Sequence, residues 1–390
     1  MQNKQKGIKL TDYQRLNWLR LIRSENVGAV TFLNLIARFG SAQKAIEALP
    51  ELNAKGGARK TIRIASIEDA EKEFEKALQM GIKFVCVGEP EYPELLRAIE
   101  FPPPLIALRG NVEIFMKPSV AIVGSRNASA SGKKLTFQFA KALGDHGFSI
   151  VSGLARGIDS AAHQASLDTG TIAVLAGGVD CVYPPENTTL YRDIIHRGGV
   201  IISEMPIGWT PRAVDFPRRN RIIAGLSLGL LIVEAAKRSG SLITARIANE
   251  IGRLVFAIPG SPLDPRAEGP NKLIRDGAIF ITDPDDLAKT LFPLVPNTSP
   301  TQPYLFKNME SLLPPQGFNE SDSPDIFNED VNDKERQKVL SALSVTPIDI
   351  ETLSFHSGVP LNKLYLLLVE LDLAGKLVRH SGGYVSLFVQ

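Results

Sequence analysis

Cysteine is almost missing: the 390 residues contain two, Cys86 and Cys181. They lie far apart, and neither has a Cys or His at metal-ligand spacing. That excludes a disulfide scaffold and a structural zinc site, and it fits a reducing compartment. Long hydrophobic runs are also missing. The most apolar stretch, Leu226 to Ala236, is about half a membrane span. The opening residues MQNKQKGIKL are polar and have no apolar core, unlike a secretory signal. The expectation is a cytoplasmic protein that does not engage a membrane. Charge of one sign is not in excess. With 44 Lys and Arg against 42 Asp and Glu, the formal net charge is +2. The total names no polyanionic partner, so the placement of the charges must decide.

Two nucleotide motifs are missing as well. A P-loop would need glycine at 127 and Ser or Thr at 134, where the chain has Asn127 and Lys134. A dinucleotide fingerprint would need glycine at 126, which is arginine. ATP hydrolysis and NAD chemistry are both disfavoured, and no cofactor is implied.

What is present divides the chain into four parts. Residues 1–80 read as a helical module, with Leu16, Leu19, Ile22 and then Phe32, Leu35, Ile36, Phe39 at helical spacing. The Val27-Gly28-Ala29 turn suits either a helix-hairpin-helix facing a phosphate or a plain helical hairpin. Residues 81–292 alternate apolar runs (119–124, 149–153, 171–178, 199–204, 228–234, 253–260) with helical stretches. Strands apolar throughout imply a parallel sheet covered on both faces, an α/β doubly wound Rossmann-like fold. Residues 293–332 form a proline-rich linker, in which every charge from Asn308 to Asp333 is acidic. Residues 333–390 read as three helices and a hairpin at Gly382-Gly383, a winged helix. Its third helix carries few cations, so protein contact is at least as well supported there as DNA contact.

Four glycine turns converge on the carboxyl edge of the sheet, where open α/β sheets bind ligands. They are Gly124-Ser125-Arg126, Gly153 to Gly157 with Arg156 between, Gly177-Gly178, and Ser239-Gly240-Ser241 at a helix start suited to a phosphate. Singly each reads as tight strand-to-helix packing; together they favour an anion site. The most informative stretch is Phe216-Pro217-Arg218-Arg219-Asn220-Arg221, because guanidinium groups bind phosphate and phenyl rings stack on bases. Asp159 and His163 share a predicted helix face, and Glu204 and Glu234 end strands. No second carboxylate, nucleophile or metal cluster completes a catalytic site around them. Trp209, Cys181 and Tyr183 read as packing residues.

Tyr92-Pro93, Phe101 to Pro104, Leu108-Arg109-Gly110, Gly124 to Arg126, Ser152 to Asp159, Gly177 to Asn187, Phe216 to Ser227 and Val233 to Thr244 occur together and in order. In this the chain resembles the DprA/Smf family of DNA-processing proteins over about residues 90–290. The flanks resemble the sterile-alpha-motif-like or helix-hairpin-helix module and the winged helix of longer members. The resemblance implies an extended Rossmann fold that binds single-stranded DNA without catalysis. It implies protection of incoming strands in natural transformation, loading of the RecA recombinase, and a homodimer through a surface near Asn271 to Ile281. The expected DNA site comprises Arg126, Arg156, Arg218, Arg219 and Arg221 on phosphates, with Gly124, Ser125, Ser239 and Gly240 as donors. Asn220 would hydrogen-bond and Phe216 would stack. The alternatives are a nucleotide phosphoribohydrolase using Glu234 as acid–base, and a protein-interaction adaptor working through the terminal domains.

Overall fold

The structure is a computed structural model and describes residues 9–295 and 331–388. The linker expected at 293–332 therefore lies, except for its ends, outside the described residues. The chain divides into two compact units. One contains the helices up to Phe74 together with the C-terminal residues, and the other begins at Glu75.

The first unit opens with helices α1 (Asp12–Arg23), α2 (Ala29–Phe39), α3 (Ala42–Lys55) and α4 (Ile67–Gln79), the last running past the unit boundary. Local sequence sets these ends. Thr11 and Gln14 form a reciprocal capping box on α1, Gly40 closes α2 in the left-handed region, and the Ser41 hydroxyl caps α3.

The second unit contains β1 (Lys83–Cys86), α5 (Glu94–Arg97), β2 (Leu105–Gly110), β3 (Ser119–Val123), α6 (Ala130–Asp145), β4 (Ser149–Ser152), α7 (Ile158–Ala165) and β5 (Thr171–Val174). It continues with α8 (Thr188–His196), β6 (Val200–Ser203), α9 (Asp215–Gly225), β7 (Gly229–Ile232), α10 (Gly240–Glu250), β8 (Leu254–Ala257), α11 (Glu268–Arg275), β9 (Ile279–Phe280) and α12 (Pro284–Leu291). The sheet order is β1-β2-β6-β5-β4-β3-β7-β8-β9. From β6 to β9 every pairing is parallel. The wholly parallel sheet expected from the apolar runs needs one correction: β2 pairs antiparallel to β6, and β1 antiparallel to β2. The connection from β1 to β2 holds only the short helix α5, and Pro102 to Pro104 keep its last residues extended, so β2 returns antiparallel along the edge. β3 to β7 are buried at every position, as two-sided coverage requires. One core packs Phe139 and Leu143 of α6, Ile158 and Ala162 of α7 and Leu287 and Leu291 of α12 against Val120, Ile122 and Phe256 of the sheet. Strand order reverses between β3 and β7. The loops after those two strands flank the crevice of a doubly wound sheet.

The C-terminal residues return to the first unit as α13 (Asp333–Ala342), β10 (Ile348–Asp349), α14 (Ile350–Ser357), α15 (Leu361–Leu373), β11 (Leu377–Arg379) and β12 (Tyr384–Leu387). The three strands form one small antiparallel sheet in the order β10-β12-β11, completing a winged helix.

Candidate nucleic-acid interface

Close backbone approach draws the glycine turns together at the carboxyl edge. A Cβ on Gly124 would lie 2.6 Å from Ile158 Cγ1 and 2.8 Å from the Glu234 carbonyl oxygen. Gly157 has φ +78°, and a Cβ there would run into the Ser125 carbonyl. The Ile158 amide donates to that same carbonyl at 3.2 Å, so the loops after β3 and β4 are locked to each other. Gly124, Gly153 and Gly157 thus serve packing, and the loops they join carry the exposed arginines Arg126 and Arg156.

The Phe216 to Arg221 stretch is helical. It is the first half of α9. Helical periodicity sends its arginines in different directions. Asp215, Arg219, Asn220, Ile222 and Ile223 face inward, while Arg218 stays exposed. Pro217 sits in the first turn, where its missing N–H costs nothing. Asp215 fixes the start of the helix by accepting from the Arg212 amide at 2.9 Å and from Trp209 Nε1 at 3.0 Å. Burial works against its charge, but hydrogen bonds from Arg212 and Trp209 pull it down to about 2. Trp209 is therefore a packing and anchoring residue.

Arg219 is a correction to the expected phosphate ligands. It is 6% exposed and lies beneath the edge rather than on it. Its guanidinium donates to the Gly153 carbonyl at 2.8 Å and to the Val174 carbonyl, at the ends of β4 and β5. A Cβ on Gly153 would lie 2.5 Å from that guanidinium, which explains the glycine. Burial lowers the Arg219 pKa to about 10, with Asp159 opposing the shift. Arg221 is also committed. It donates to the Phe101 carbonyl at 3.0 Å and pairs with Glu204, tying α9 to the Phe101 to Pro104 segment. Glu204 also holds Arg218 at 3.4 Å, from a side chain that leaves Arg218 half exposed.

The surface that remains is small and specific. The Arg126 guanidinium lies over the Phe216 ring, 5.1 Å from its centroid. On the same ring, Tyr183 approaches with centroids 5.5 Å apart and is itself 47% exposed. The sequence reading assigned Tyr183 to packing. The available signal was an aromatic in the Gly177 to Asn187 loop, which leaves the same sheet edge as Arg126. Arg156 is exposed and paired with Glu186. Asn220 Nδ2 donates to the Gly240 carbonyl at 3.4 Å and so joins α9 to the start of α10. There Ser239 caps the helix, its hydroxyl 2.7 Å from that of Ser241. Gly240 is exposed with nothing within 4 Å of a built Cβ, leaving room for a ligand at that helix start.

The titratable residues singled out in the sequence are engaged. Glu234 accepts from the Ser129 amide at 2.9 Å and from its hydroxyl, closing the N-terminus of α6. Asp159 accepts from the Gly153 amide at 3.1 Å; burial raises its pKa, and the nearby Arg219 charge opposes that rise. His163 is fully buried. The Leu154 amide donates to Nε2 at 3.3 Å, so the Nδ1 proton goes to Thr171 Oγ1 at 2.7 Å. Burial, then the Arg219 charge, lowers its pKa from 6.5 to about 3. The folded protein therefore binds fewer protons than the unfolded chain between these values. This contribution to stability is complete above pH 6.5 and lost as pH falls toward 3. Its slope approaches about 1.4 kcal/mol per pH unit. Thermal unfolding from pH 7 to pH 4 should show His163→Gln losing less stability than the parent; parallel curves would show that the imidazole does not titrate across folding.

The family model described as DNA recombination-mediator protein A matches residues 83–292. The chain belongs to the DprA/Smf family. The DprA-like N-terminal HHH domain matches residues 12–76, and the DprA winged helix domain residues 324–383. Protein Smf of Escherichia coli (strain K12) is 38% identical over 300 residues, covering 76% of this chain and 74% of that protein. The X-ray structure of DNA processing protein A (DprA) from Streptococcus pneumoniae superposes with a TM-score of 0.60 at 34% identity, covering 72% of this chain and 98% of that one. DNA processing protein A from Helicobacter pylori, whose structure is described by its single-stranded DNA binding mode, matches with a TM-score of 0.50 at 28% identity, over 54% of this chain and 96% of that one. The DprA fold of extended Rossmann domain, N-terminal helical module and winged helix is the architecture described above.

Proposed function

We propose that this DprA/Smf chain binds single-stranded DNA, without sequence preference, at the carboxyl edge of its parallel sheet. The observation that carries the reading is the Arg126–Phe216–Tyr183 cluster, in which an exposed cation and an exposed tyrosine flank the half-buried Phe216 ring at the sheet edge that also bears the open start of α10. A backbone phosphate on Arg126, Arg156 or Arg218 would place a base against Phe216. A duplex, with its bases stacked inside, offers none to these rings. In the cell the bound strand is protected and passed to the RecA recombinase during transformation. The protein acts as a homodimer through the Asn271 to Ile281 region, where Phe280 on the outer strand β9 is 56% exposed. Among the described residues no helix is long and apolar enough to cross a membrane, in keeping with work in the cytoplasm.

Fluorescence anisotropy of a labelled oligonucleotide, single-stranded and then annealed, tests the reading. Arg219 and Arg221 are committed internally, so about three phosphates are contacted. The log–log salt slope should be near −2, or roughly 20-fold weaker binding from 50 to 200 mM salt. Equal affinity for duplex, or a slope near zero, would remove the proposal.

A further inference from the structure

A winged helix that reads DNA keeps the outer face of its third helix free for a groove. Here that helix is α15, and it has no free face along its middle. Leu366, Leu367, Leu368, Val369, Glu370 and Leu371 are all buried in succession. One side, Leu364, Leu367, Leu368 and Leu371, packs in the domain's own core with Val339, Leu353 and Val385. The other side, Leu366, Val369 and Leu373, packs into a different core made by Leu21, Phe32, Leu35 and Leu49 of α1 to α3. Only Leu361, Asn362 and Tyr365 near its start remain exposed, and none carries charge.

Polar contacts fit the same face. Asn26 Nδ2 donates to the Leu373 carbonyl at 2.9 Å, so the turn between α1 and α2 caps the end of α15. Thr31 Oγ1 donates to Asp372 at 3.0 Å, and Arg379 holds the same carboxylate at 2.7 Å. Arg336 of α13 bridges Glu370 at 2.5 Å and the Lys55 carbonyl at 2.8 Å. A Cβ on Gly56, just after α3, would run into the Glu370 carbonyl, so that glycine permits the close approach.

We propose that the winged helix of this chain is a protein-binding domain whose ligand is the chain's own N-terminal helical module. The two form a clasp in which the α1 to α3 core, with Asn26 and Thr31, covers the groove-reading face and the end of α15.

The test uses the full chain with a protease recognition site placed between residues 296 and 330. After cleavage the C-terminal fragment is expected to co-elute with the remainder in size-exclusion chromatography. Leu366→Glu with Val369→Glu charges only the side facing α1 to α3 and should release the fragment. Asn26→Ala with Thr31→Val leaves both cores intact and should weaken the reassociation of the cleaved pieces about tenfold. Elution of the parent fragment alone, or its retention by the Leu366/Val369 double variant, would overturn the clasp.

Discussion

Arg219→Ala should destabilise the sheet domain by about 3–5 kcal/mol, the loss expected when one partner of a buried charged pair is removed. For a domain of this size that corresponds to a fall in Tm on the order of 10 °C. The cause is geometric. The guanidinium satisfies the Gly153 and Val174 carbonyls and offsets the buried charge of Asp159, so alanine leaves two strand-end carbonyls without that donor and Asp159 with only its backbone donors. Arg219→Lys should recover only part of the loss, since an ammonium cannot span both carbonyls as a fork does. Arg126→Ala, at an exposed position, should stay within about 0.5 kcal/mol of the parent. Chemical denaturation separates the two. A stable Arg219→Ala protein that had lost DNA binding would return Arg219 to the surface and to the phosphates.

The contrast between these arginines shows where sequence reading reaches its limit. The charge run at 218–221 is plain in the sequence, and so is the carboxyl edge, because apolar strands alternating with helices point to a covered, mainly parallel sheet. Which arginine faces in depends on whether the run is loop or helix. Once it is a helix, Asp215, Arg219, Ile222 and Ile223 fall at i, i+4, i+7 and i+8 on one face, and burial of Arg219 follows. The glycine turns were visible, but their reason lay in residues distant in sequence: Gly153 makes room for Arg219 and Gly157 for Ser125. The antiparallel β1 and β2 were hidden because strands of four to six residues do not encode direction. Tyr183 was hidden because it meets Phe216 only through the fold. The scarcity of cations on α15 is plain in the sequence, yet nothing local could say that α1 to α3 supply its second partner.

Phe216→Ala should weaken single-stranded DNA binding by roughly 5- to 150-fold, the range of about 1–3 kcal/mol for one base–aromatic stack. The ring is positioned for this by its neighbours. Arg126 holds it from one direction and Tyr183 from another, so little ordering remains to be done when a base arrives. The same arrangement makes Arg126 doubly placed, as a phosphate contact and as a support for the ring. Arg126→Ala should therefore lower affinity and also reduce the magnitude of the salt slope by about 0.7. Phe216→Ala should leave that slope unchanged, because no charge is lost. Comparing a normal oligonucleotide with an abasic one of equal length isolates the stack. Phe216→Ala should weaken binding to the first and leave the second untouched. Equal losses on both strands would mean that the ring shapes the Arg126 loop rather than contacting a base, and would move recognition wholly onto the phosphate backbone.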